Sequence, residues 1–410
     1  MRDKTAVVVG AGIVGLAVAF HLVADGHAVT VVDREPEGDR ASFGNAGGIA
    51  VTEVIPASVP GMWRKVPGWL ADPLGPLAVR PGHAWRLGPW LWRFARAGRP
   101  VEVERIATAL AALNGLVYDD LLPMLATTGL AGELNRTGAL TVYESEAGRA
   151  RESAAWALKR RHGVIAEFLD GDSVRAMEPA LGPLAACGVF TPQWSSVSDP
   201  KHLWAGLRDW LLARGVRIVT GEVRAVASGR AMLAAGGTLA ADAVIVAAGA
   251  WSGRLARAVG DPVLIESERG YNTTIPKPAV TLGREIIFAE RSFVATPLAC
   301  GLRIGGAAEF GGLAAAANYR RSAALATLAS RYLPGLCTAG GVEWAGHRST
   351  TPDSLPVIGV SPRQPGVFYA FGHGHLGLTQ AASTGRLVAD LVARRVPPID
   401  MAPFGIARFG

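Results

Sequence analysis

Cysteines, charged residues and long apolar runs are all scarce in this 410-residue chain, and each scarcity excludes a class of protein. Three widely spaced cysteines, Cys187, Cys300 and Cys337, predict neither a disulfide framework nor a metal-ligand pair, and fit small buried residues in a reducing compartment. An uncharged apolar run of about 18 residues, long enough to span a membrane, is absent. Charged residues make up only 18% of the chain and hydrophobic residues 50%, a balance that excludes a disordered protein.

The positive charge is concentrated in one segment. The formal net charge is +7, and residues 54–101 hold seven basic residues against one acid, Asp72, so that this segment contributes +6. The basic residues there are Arg64, Lys65, Arg80, Arg86, Arg93, Arg96 and Arg99. The tryptophans that accompany them are Trp63, Trp69, Trp85, Trp90 and Trp92.

Three interpretations of this Trp-rich segment, residues 60–98, stand side by side. It forms a lid or wall of a substrate pocket, or an interfacial patch that touches an anionic membrane, or ordinary packing. Nucleic-acid binding by stacking and charge has no further support in the sequence, and we expect none.

The first 33 residues contain a dinucleotide-binding fingerprint. Ala6–Val9 is an apolar run that predicts a buried parallel strand, and Val29–Val32 predicts a second one. Between them come a G-x-G-x-x-G motif at residues 10–15 and an Ala-rich helix predicted over residues 13–24. A fingerprint that starts at residue 5 leaves no room for a signal peptide, so we expect none.

Each position of the motif has a physical reason. Gly10 permits the tight turn, Gly12 lets the backbone approach a pyrophosphate, and Gly15 lets helix and strand pack closely. The helix N-terminus then offers unpaired N–H groups and a positive dipole to the phosphates. Asp33 stands at the end of the second strand, where a carboxylate accepts hydrogen bonds from an adenosine ribose. The motif therefore favours NAD or FAD over NADP.

The rest of the chain predicts a second half of this sheet and a separate domain. A buried strand at Ala243–Ala247 is followed by small residues, as in the second half of a dinucleotide-binding sheet. Residues 262–345 are rich in β-type runs interrupted by one helix, Arg320–Tyr332, which predicts an antiparallel sheet. A glycine-rich turn at 372–378 opens a long helix, Thr379–Arg394, whose N-terminus can stabilise negative charge on a ligand.

Seven stretches, taken in order, point to one family. They are VVVGAGIVGLAVAFHL, ASFGNAGGIA, PGMWRKVPGWLADPLGPL, TGALTVYES, ERGYN, WAGHRSTTPDSLPVIG and GHGHLGLTQAASTGRLVADL. In these stretches the chain resembles the D-amino-acid oxidase superfamily of FAD-dependent amine oxidoreductases, and within it the bacterial D-amino-acid dehydrogenases. The resemblance covers essentially the whole chain, and the last two stretches are the most specific.

The resemblance implies an α/β fold with a Rossmann-like FAD-binding domain and a substrate domain that has a mainly antiparallel sheet. The FAD-binding domain is expected to be discontinuous and to comprise residues 1–59, 186–255 and 345–410. Residues 60–185 and 256–344 are expected to form the substrate domain and the pocket cover.

The resemblance also implies which residues hold the FAD. The motif glycines would hold its pyrophosphate, Asp33 its ribose, and the run around residues 42–47 its pyrophosphate and flavin. The glycine-rich turn before the last helix would lie at the pyrimidine edge of the flavin. The residues expected to contact FAD are Gly10, Gly12, Ile13, Val14, Gly15, Asp33, Arg34, Ser42, Asn45, Ala46, Gly47, Val223, Ala248, Gly249, Gly374, His375, Leu376 and Gly377.

Two residues are expected at the substrate. Arg348, in WAGHR, matches the arginine that binds the substrate carboxylate in this superfamily, and a guanidinium fork makes two parallel charge-assisted hydrogen bonds to a carboxylate. The alternative for Arg348 is a structural ion pair, for which Asp353 is the obvious nearby acid. Tyr271, in ERGYN, lies where the family places substrate-facing residues, and its alternative is a plain core aromatic.

His347, His373 and His375 are not expected to act as bases or as metal ligands. Amine oxidation by a flavin transfers a hydride from Cα to N5 while the amine is neutral, so a protein general base is not required. We expect flavin contact for His375 and a structural role for His373. Some relatives attach the flavin to a cysteine within or just after the Arg348 motif. Residues 346–353 contain none, so we expect non-covalent FAD.

The predicted function is oxidation of a D-amino acid to an imine, which hydrolyses to a 2-oxo acid or stays cyclic for a proline derivative. The resemblance implies a dehydrogenase that passes electrons to a quinone or another carrier. ERGYN and ASFGNAG resemble enzymes that act on D-proline or cis-4-hydroxy-D-proline. The rivals are a sarcosine- or glycine-type oxidase that uses O2, and an FAD-carrying subunit of an electron-transfer complex. The expected location is the cytoplasm, or the inner face of the cell membrane if the Trp-rich segment binds lipid.

Overall fold

The fold is built on two large β-sheets that face a common cavity. The computed structural model describes residues 4–64, 66–72 and 75–410, and Lys65 and the Trp63 side chain, both in the Trp-rich segment, lie outside this described part. The α-helices are α1 (Ile13–Ala24), α2 (Val66–Ala71), α3 (Pro81–Ala84), α4 (Gly88–Ala97), α5 (Pro100–Gly115), α6 (Val117–Thr128), α7 (Glu146–Arg151), α8 (Ser153–Arg161), α9 (Gly171–Met177), α10 (Pro200–Leu212), α11 (Ser252–Val259), α12 (Arg320–Ala329) and α13 (Gly377–Val392). The β-strands are β1 (Thr5–Val9), β2 (Ala28–Asp33), β3 (Gly48–Ile49), β4 (Leu77–Val79), β5 (Leu134–Asn135), β6 (Ala139–Tyr143), β7 (Glu167–Asp170), β8 (Cys187–Thr191), β9 (Ser195–Val197), β10 (Arg217–Thr220), β11 (Val223–Ala227), β12 (Arg230–Leu233), β13 (Thr238–Ala240), β14 (Ala243–Val246), β15 (Glu266–Ile275), β16 (Glu285–Phe288), β17 (Phe293–Leu298), β18 (Gly301–Phe310), β19 (Val342–Thr350), β20 (Val357–Val360) and β21 (Val367–Phe371).

The first sheet carries the dinucleotide-binding fingerprint. Its strand order is β10-β2-β1-β14-β21-β20, and neighbours run parallel except in the β20–β21 pair. Val7 and Val8 of β1 point to opposite faces and both are buried, as a central parallel strand requires. On one face α1 packs against α13, and Leu16 and Val388 belong to their shared core. The predicted strand-turn-helix-strand start of the chain is confirmed.

The second sheet is longer and mainly antiparallel, as the sequence predicts. Its path is β19-β15-β18-β17-β16-β6-β8-β7, and β4 joins it beside β18. The β16–β6 and β18–β4 pairs are the parallel ones. Residues of β16 alternate between two environments, because Ile286 and Phe288 enter a core that includes α12, whereas Glu285 and Ile287 line the cavity.

The predicted domain boundaries differ from the structure at three places. β8 lies within the predicted FAD-binding segment 186–255, yet it pairs with β6 and β7 of the second sheet. β19 crosses the predicted boundary at residue 345 and pairs with β15 along its whole length. The predicted substrate segment 60–185 contains α5 and α6, yet these helices contact α13 and contribute to the core of the first sheet. The sheet to which an element belongs depends on partners distant in sequence, which local patterns do not reveal.

The helical stretch Pro100–Thr128 is long and apolar enough to cross a membrane, judged by length and composition alone. Half of its most apolar window is buried inside the protein, and the helix is interrupted between α5 and α6 at Leu116. The contacts with α13 account for its apolar face, so we interpret α5 and α6 as core helices.

The cysteines divide between the interior and the surface. Cys187 is buried in β8, as expected, but Cys300 and Cys337 are exposed, so the expectation of buried cysteines is wrong for these two. Both lie near turns, where burial follows from how a loop packs and is not marked by residue type.

Candidate active site

A large cavity lies at the carboxyl ends of β1, β2 and β14, which is where an open parallel sheet places its ligands. Its volume is about 1470 Å³. Loops that follow these strands form one side, and residues of β15 to β19 form the opposite side. Pockets for drug-sized ligands measure roughly 300–1,000 Å³, so this cavity has room for a large cofactor together with a small substrate.

The glycine turn after β1 allows the backbone to approach a ligand closely. Gly10 has a φ of +112°, and a Cβ there would lie 2.4 Å from the carbonyl oxygen of Ala247. A Cβ at Gly15 would lie 2.0 Å from the Gly10 carbonyl oxygen, so Gly15 serves helix packing behind the cavity wall. The neighbours that line the cavity at the start of α1 are Gly12, Ile13 and Val14.

Asp33 is fixed at the end of β2 by two backbone donors. Its Oδ2 accepts from the Ala11 N–H at 2.7 Å, and its Oδ1 accepts from the Glu35 N–H at 2.9 Å. Arg40 closes this corner, because its Nη1 donates to the Ala11 carbonyl at 2.7 Å and lies 3.8 Å from the Asp33 carboxylate. Each carboxylate oxygen keeps a lone pair for ribose hydroxyls. Sequence reasoning missed Arg40, which sits in a polar loop with no motif.

The loop after Ala41 presents hydrogen-bond donors to the cavity. Ser42 Oγ accepts from the Ile13 N–H at 3.0 Å, and Asn45 Oδ1 accepts from the Gly47 N–H at 2.7 Å. Gly47 has a φ of +93° and supports the loop from outside the cavity. The N–H groups of residues 44–46 have no partner within the described part of the chain, although these residues line the cavity. Successive free N–H groups of this kind suit an anion or the polar edge of a flavin.

Three side chains of the second sheet hold this loop, two by hydrogen bonds to its carbonyl groups and one by packing. Arg303 Nη1 donates to the first and last carbonyls of residues 43–45, at 2.8 Å and 2.6 Å, and Asn272 Nδ2 donates to the middle one at 2.8 Å. The Trp344 ring covers Gly44 so closely that a Cβ there would lie 2.1 Å from it. The three side chains come from β18, β15 and β19, which are neighbours in the sheet. We call Asn272, Arg303 and Trp344 the loop clamp.

Most other residues predicted to bind FAD also line the cavity. They are Arg34, Val223, Ala248, Gly249, Gly374, His375 and Gly377. The Arg34 guanidinium lies 3.8 Å from the centroid of the Trp251 ring. Leu376 is buried at the start of α13 and does not line the cavity. Direct contact of each residue with FAD stays a prediction.

Burial lowers the pKa of the three histidines that line the cavity, His347, His373 and His375. Burial lowers the pKa of His373 to about 3, and its Nε2 bonds to the Thr384 hydroxyl at 2.9 Å. Burial, with the charges of Arg269 and Arg34, lowers the pKa of His347 to about 4. His375 opens onto the cavity, yet the surrounding protein lowers its pKa as well, mainly by burial. The geometry of His373 agrees with the structural role expected for it.

Arg348 lies on β19 with its guanidinium facing the cavity. Its Nη1 donates to Glu268 Oε1 at 2.7 Å and to the Ala307 carbonyl at 3.1 Å, and no protein partner of Nε or Nη2 is found in the described residues. A Cβ at Gly270 would lie 2.5 Å from the guanidinium carbon, so a larger residue there would displace the guanidinium from this position. Asp353, the acid proposed as the structural partner, binds Arg408 at 2.8 Å instead.

Tyr271 belongs to both the core and the cavity. Its ring is 1% exposed and packs in the core of the second sheet, and its hydroxyl accepts from the Asn318 N–H at 3.0 Å. It also lines the cavity. The two interpretations made from the sequence are therefore both compatible with its position, and contact with substrate stays a prediction.

Two glutamates in the cavity wall were not found from the sequence. Glu53 pairs with Lys159 at 2.6 Å, and although burial raises the pKa of Glu53, the ammonium group outweighs this and lowers it. Glu285 pairs with no cation among the described residues, and burial raises its pKa to about 8. The pair therefore consists of one carboxylate and one carboxylic acid at neutral pH. An isolated glutamate in a strand carries no local pattern that predicts this environment.

Comparison with known proteins identifies the family. A family model described as FAD dependent oxidoreductase matches residues 5–391. The chain belongs to this family. It is 38% identical over 416 residues to a D-amino-acid oxidase of Bradyrhizobium diazoefficiens, with 98% of each chain covered. It is 32% identical over 424 residues to D-amino acid dehydrogenase 2 of Ralstonia nicotianae, with 98% of this chain and 99% of that one covered.

Solved structures support the same fold. Glycine oxidase from Geobacillus kaustophilus has a TM-score of 0.73 at 24% identity, covering 99% of this chain and 98% of the other. L-proline dehydrogenase from P. horikoshii has a TM-score of 0.74 at 17% identity, covering 100% and 98%. At such identities the likeness shows the fold alone, and it confirms the predicted α/β architecture with two domains.

The oxidoreductase therefore uses FAD, as the sequence predicts, and the cavity fits this group. The glycine turn, the Asp33 carboxylate and the N–H groups of residues 44–46 provide the donors and acceptors that an adenosine, a pyrophosphate and a flavin require. Near Arg348, the remaining wall carries a cationic fork that suits an anionic substrate.

Proposed function

We propose that this oxidoreductase oxidises D-amino acids to imines and passes the electrons to a quinone or another carrier. The observation that carries the proposal is Arg348, which offers the free edge of its guanidinium to the cavity. A carboxylate is the group that this edge recognises best. The D-amino-acid oxidase and dehydrogenase relatives, matched over nearly the whole chain, support the substrate class. The ERGYN stretch favours D-proline or cis-4-hydroxy-D-proline among the substrates to be tested.

The proposed chemistry requires orientation and little acid–base work from the protein. FAD, when bound, accepts the hydride that leaves the substrate Cα. Arg348 fixes the carboxylate, and Glu268 and the Ala307 carbonyl fix Arg348 in turn. His347 and His373 are neutral, so they add no positive charge that would repel an ammonium group entering the cavity. The imine then hydrolyses to a 2-oxo acid, or stays cyclic when the substrate is a proline derivative.

Anaerobic mixing with a panel of D- and L-amino acids, followed by flavin absorbance, tests the proposal. We expect bleaching by D-amino acids in the wild type, and in Arg348→Ala a rise in the half-saturating concentration of at least about tenfold, since each charged hydrogen bond contributes roughly 1.5–3 kcal/mol. Arg348→Lys keeps a cation for Glu268 but lacks the guanidinium fork. Its half-saturating concentration is expected to lie between those of the wild type and Arg348→Ala. Arg363→Ala, at an arginine whose side chain is 63% exposed, is the control. Equal bleaching of Arg348→Ala and wild type contradicts the proposal.

The Trp-rich segment supports a second part of the proposal, which is docking to an anionic membrane that holds the quinone. Trp90 is buried against Phe310, whereas Trp85 and Trp92 are 74% and 57% exposed. Arg86 lies 4.9 Å from the Trp85 ring centroid and Arg96 4.7 Å from that of Trp92. Exposed indole rings flanked by guanidinium groups suit the headgroup layer of such a membrane. The segment thus combines packing with a candidate contact surface.

Co-sedimentation with phosphatidylglycerol and phosphatidylcholine vesicles tests this surface. We expect binding to the anionic vesicles, weakened by salt and by the double substitution Trp85→Ser with Trp92→Ser. The control is Val342→Ser with Val396→Ser, at residues that are 63% and 93% exposed elsewhere. Absence of wild-type binding to the anionic vesicles at both low and high salt would contradict the membrane proposal.

An oxidase that reduces O2 is the second candidate function. The Bradyrhizobium diazoefficiens relative, which is named a D-amino-acid oxidase, favours it. The yield of hydrogen peroxide per substrate oxidised under air separates the two, because a yield near one indicates an oxidase and a yield near zero, with rapid reduction of a quinone, indicates a dehydrogenase.

A further inference from the structure

Glu285 is a cavity group to which the proposed reaction gives no role. Its side chain is 3% exposed and extends from the first residue of β16 into the cavity. Ile287, two residues further along the strand, also lines the cavity. Ile286 and Phe288 occupy the opposite face in the core, so the alternation of the strand directs Glu285 to the ligand side.

The space for the Glu285 carboxyl is created by a glycine. A Cβ at Gly48 would lie 2.5 Å from Glu285 Oε2 and 3.0 Å from Trp194 Nε1. Gly48 lies two residues after residues 44–46, whose N–H groups face the cavity. The carboxyl therefore stands beside the loop that faces the FAD, at a point where any larger residue at position 48 would displace it.

The surroundings of Glu285 suit an uncharged polar ligand. Trp194 Nε1 donates to Oε2 at 3.3 Å, and the Thr296 hydroxyl lies beside the carboxyl. Glu53, the neighbouring acid, already binds the Lys159 ammonium at 2.6 Å. Since burial keeps Glu285 protonated at neutral pH, its carboxylic acid both donates and accepts a hydrogen bond, as a hydroxyl or an amide also does.

We propose that Glu285 is the specificity-determining residue for the substrate side chain and selects D-amino acids that carry an uncharged hydroxyl or amide group. The proposal rests on the proposed function, because it gives Glu285 the contact with the side chain of a substrate whose carboxylate binds Arg348. Both residues belong to the face of the second sheet that lines the cavity, Glu285 on β16 and Arg348 on β19.

Pairs of D-amino acids that differ in one hydroxyl group isolate the effect of that group. D-homoserine is compared with D-norvaline, D-serine with D-2-aminobutyrate, and cis-4-hydroxy-D-proline with D-proline, and kcat/KM is measured for each with a dye as acceptor. A site built to bind a hydroxyl rejects the analogue that lacks it, so we expect the best-fitting polar member to be favoured by about tenfold or more in the wild type. Glu285→Leu is expected to reduce that ratio to about one. Glu285→Gln keeps a donor and an acceptor and is expected to retain most of the preference.

Two further variants keep the test decisive. Glu167→Leu, at an exposed glutamate of β7 in the same sheet, is the control and is expected to leave every ratio unchanged. Trp194→Phe removes the donor to Glu285 but keeps an aromatic ring, and is expected to lower the ratio. It serves as the test if Glu285→Leu does not fold.

The outcomes separate this proposal from the proposed function. An unchanged ratio in Glu285→Leu or Trp194→Phe overturns it, as does a wild type that handles both members of every pair equally. A preference for D-ornithine that Glu285→Gln abolishes also overturns it, because Glu285 would then act as a carboxylate. If no D-amino acid of either series bleaches the flavin, the proposed function itself fails and the assignment of Glu285 falls with it.

Discussion

At the scale of single residues, the sequence indicated side chains that belong to motifs and missed those that do not. The spacing of Gly10, Gly12 and Asp33 predicted the nucleotide side of the cavity. Arg303 and Asn272 of the loop clamp were missed, because they bind backbone carbonyls more than 220 residues away, and no local pattern encodes such a contact. Family likeness supplied Arg348 but not its partner, since Glu268 reaches it across paired strands.

Removing the Arg303 side chain is expected to weaken FAD binding. Arg303→Met loses two charge-assisted hydrogen bonds to the loop at residues 43–45, and with bonds of roughly 1.5–3 kcal/mol each we expect the FAD dissociation constant to rise at least about tenfold. Titration of apoprotein with FAD, followed by quenching of flavin fluorescence, measures it. Arg284→Met, which removes a guanidinium bound to Glu178 and to the Thr137 carbonyl, is the matched control. Equal dissociation constants in all three proteins would show that the clamp does not position the loop.

Glu285→Gln is expected to change how stability depends on pH. The pKa of Glu285 is about 8 in the folded protein against 4.5 for an ordinary glutamate, so between these values the folded state keeps a proton that the unfolded state has released. The contribution of Glu285 to stability therefore falls as the pH rises from about 4.5 to 8 and is constant above that. At about 1.4 kcal/mol per pKa unit, the total is on the order of a few kcal/mol. Between pH 5 and pH 9 the free energy of unfolding in urea should therefore rise for Glu285→Gln relative to the wild type. For Glu167→Gln it should not. Parallel pH curves for wild type and Glu285→Gln would contradict this environment.

At the scale of elements, the sequence pattern predicted β1, β2, β14, α1, α12 and α13, and α1 begins and ends where it was predicted. Assignment of elements to domains was less accurate. Only the pairing of β8 with β6 and of β19 with β15 shows that these strands extend the second sheet. The junction between that sheet and the cofactor loop is likewise a product of tertiary packing.

Gly44→Ala tests that junction. Its Cβ would lie 2.1 Å from the Trp344 ring, and because overpacking of this kind costs roughly 1–3 kcal/mol, we expect a lower melting temperature and weaker FAD binding. Gly115→Ala, at the end of α5 with no atom within 4 Å of the added carbon, is the control and is expected to be neutral or slightly stabilising. Combining Gly44→Ala with Trp344→Leu should restore part of the loss. A double variant no better than the single one would mean that the clash with Trp344 is not the cause.

At the scale of the whole molecule, neither sheet forms the cavity alone. The first sheet supplies the glycine turn and Asp33, the second supplies Arg348 and Glu285, and the loop clamp ties the two together. The family assignment, the FAD requirement and the fold were all predictable from the sequence. The pairing of polar groups inside the cavity was not, because it depends on distances between distant segments.

FAD is therefore expected to stabilise both sheets together. At a free concentration about 100 times the dissociation constant, a ligand that binds only the folded state adds about 2.7 kcal/mol. Thermal unfolding of apoprotein and holoprotein, followed by far-UV circular dichroism and by tryptophan fluorescence, should show an upward shift that coincides in the two signals. A shift in one signal alone would mean that the sheets unfold independently.

The strand order of the first sheet also determines when, during synthesis, that sheet can be completed. β1 lies between β2 and β14, but β14 begins only at Ala243, and α13, which packs on α1, ends at Val392. As the chain leaves the ribosome, β1 can pair with β2 early. Its second neighbour, β14, and the helix that covers α1, α13, emerge only later. FAD capture is consequently a late event, and a nascent chain stalled before residue 377 has no complete site to close.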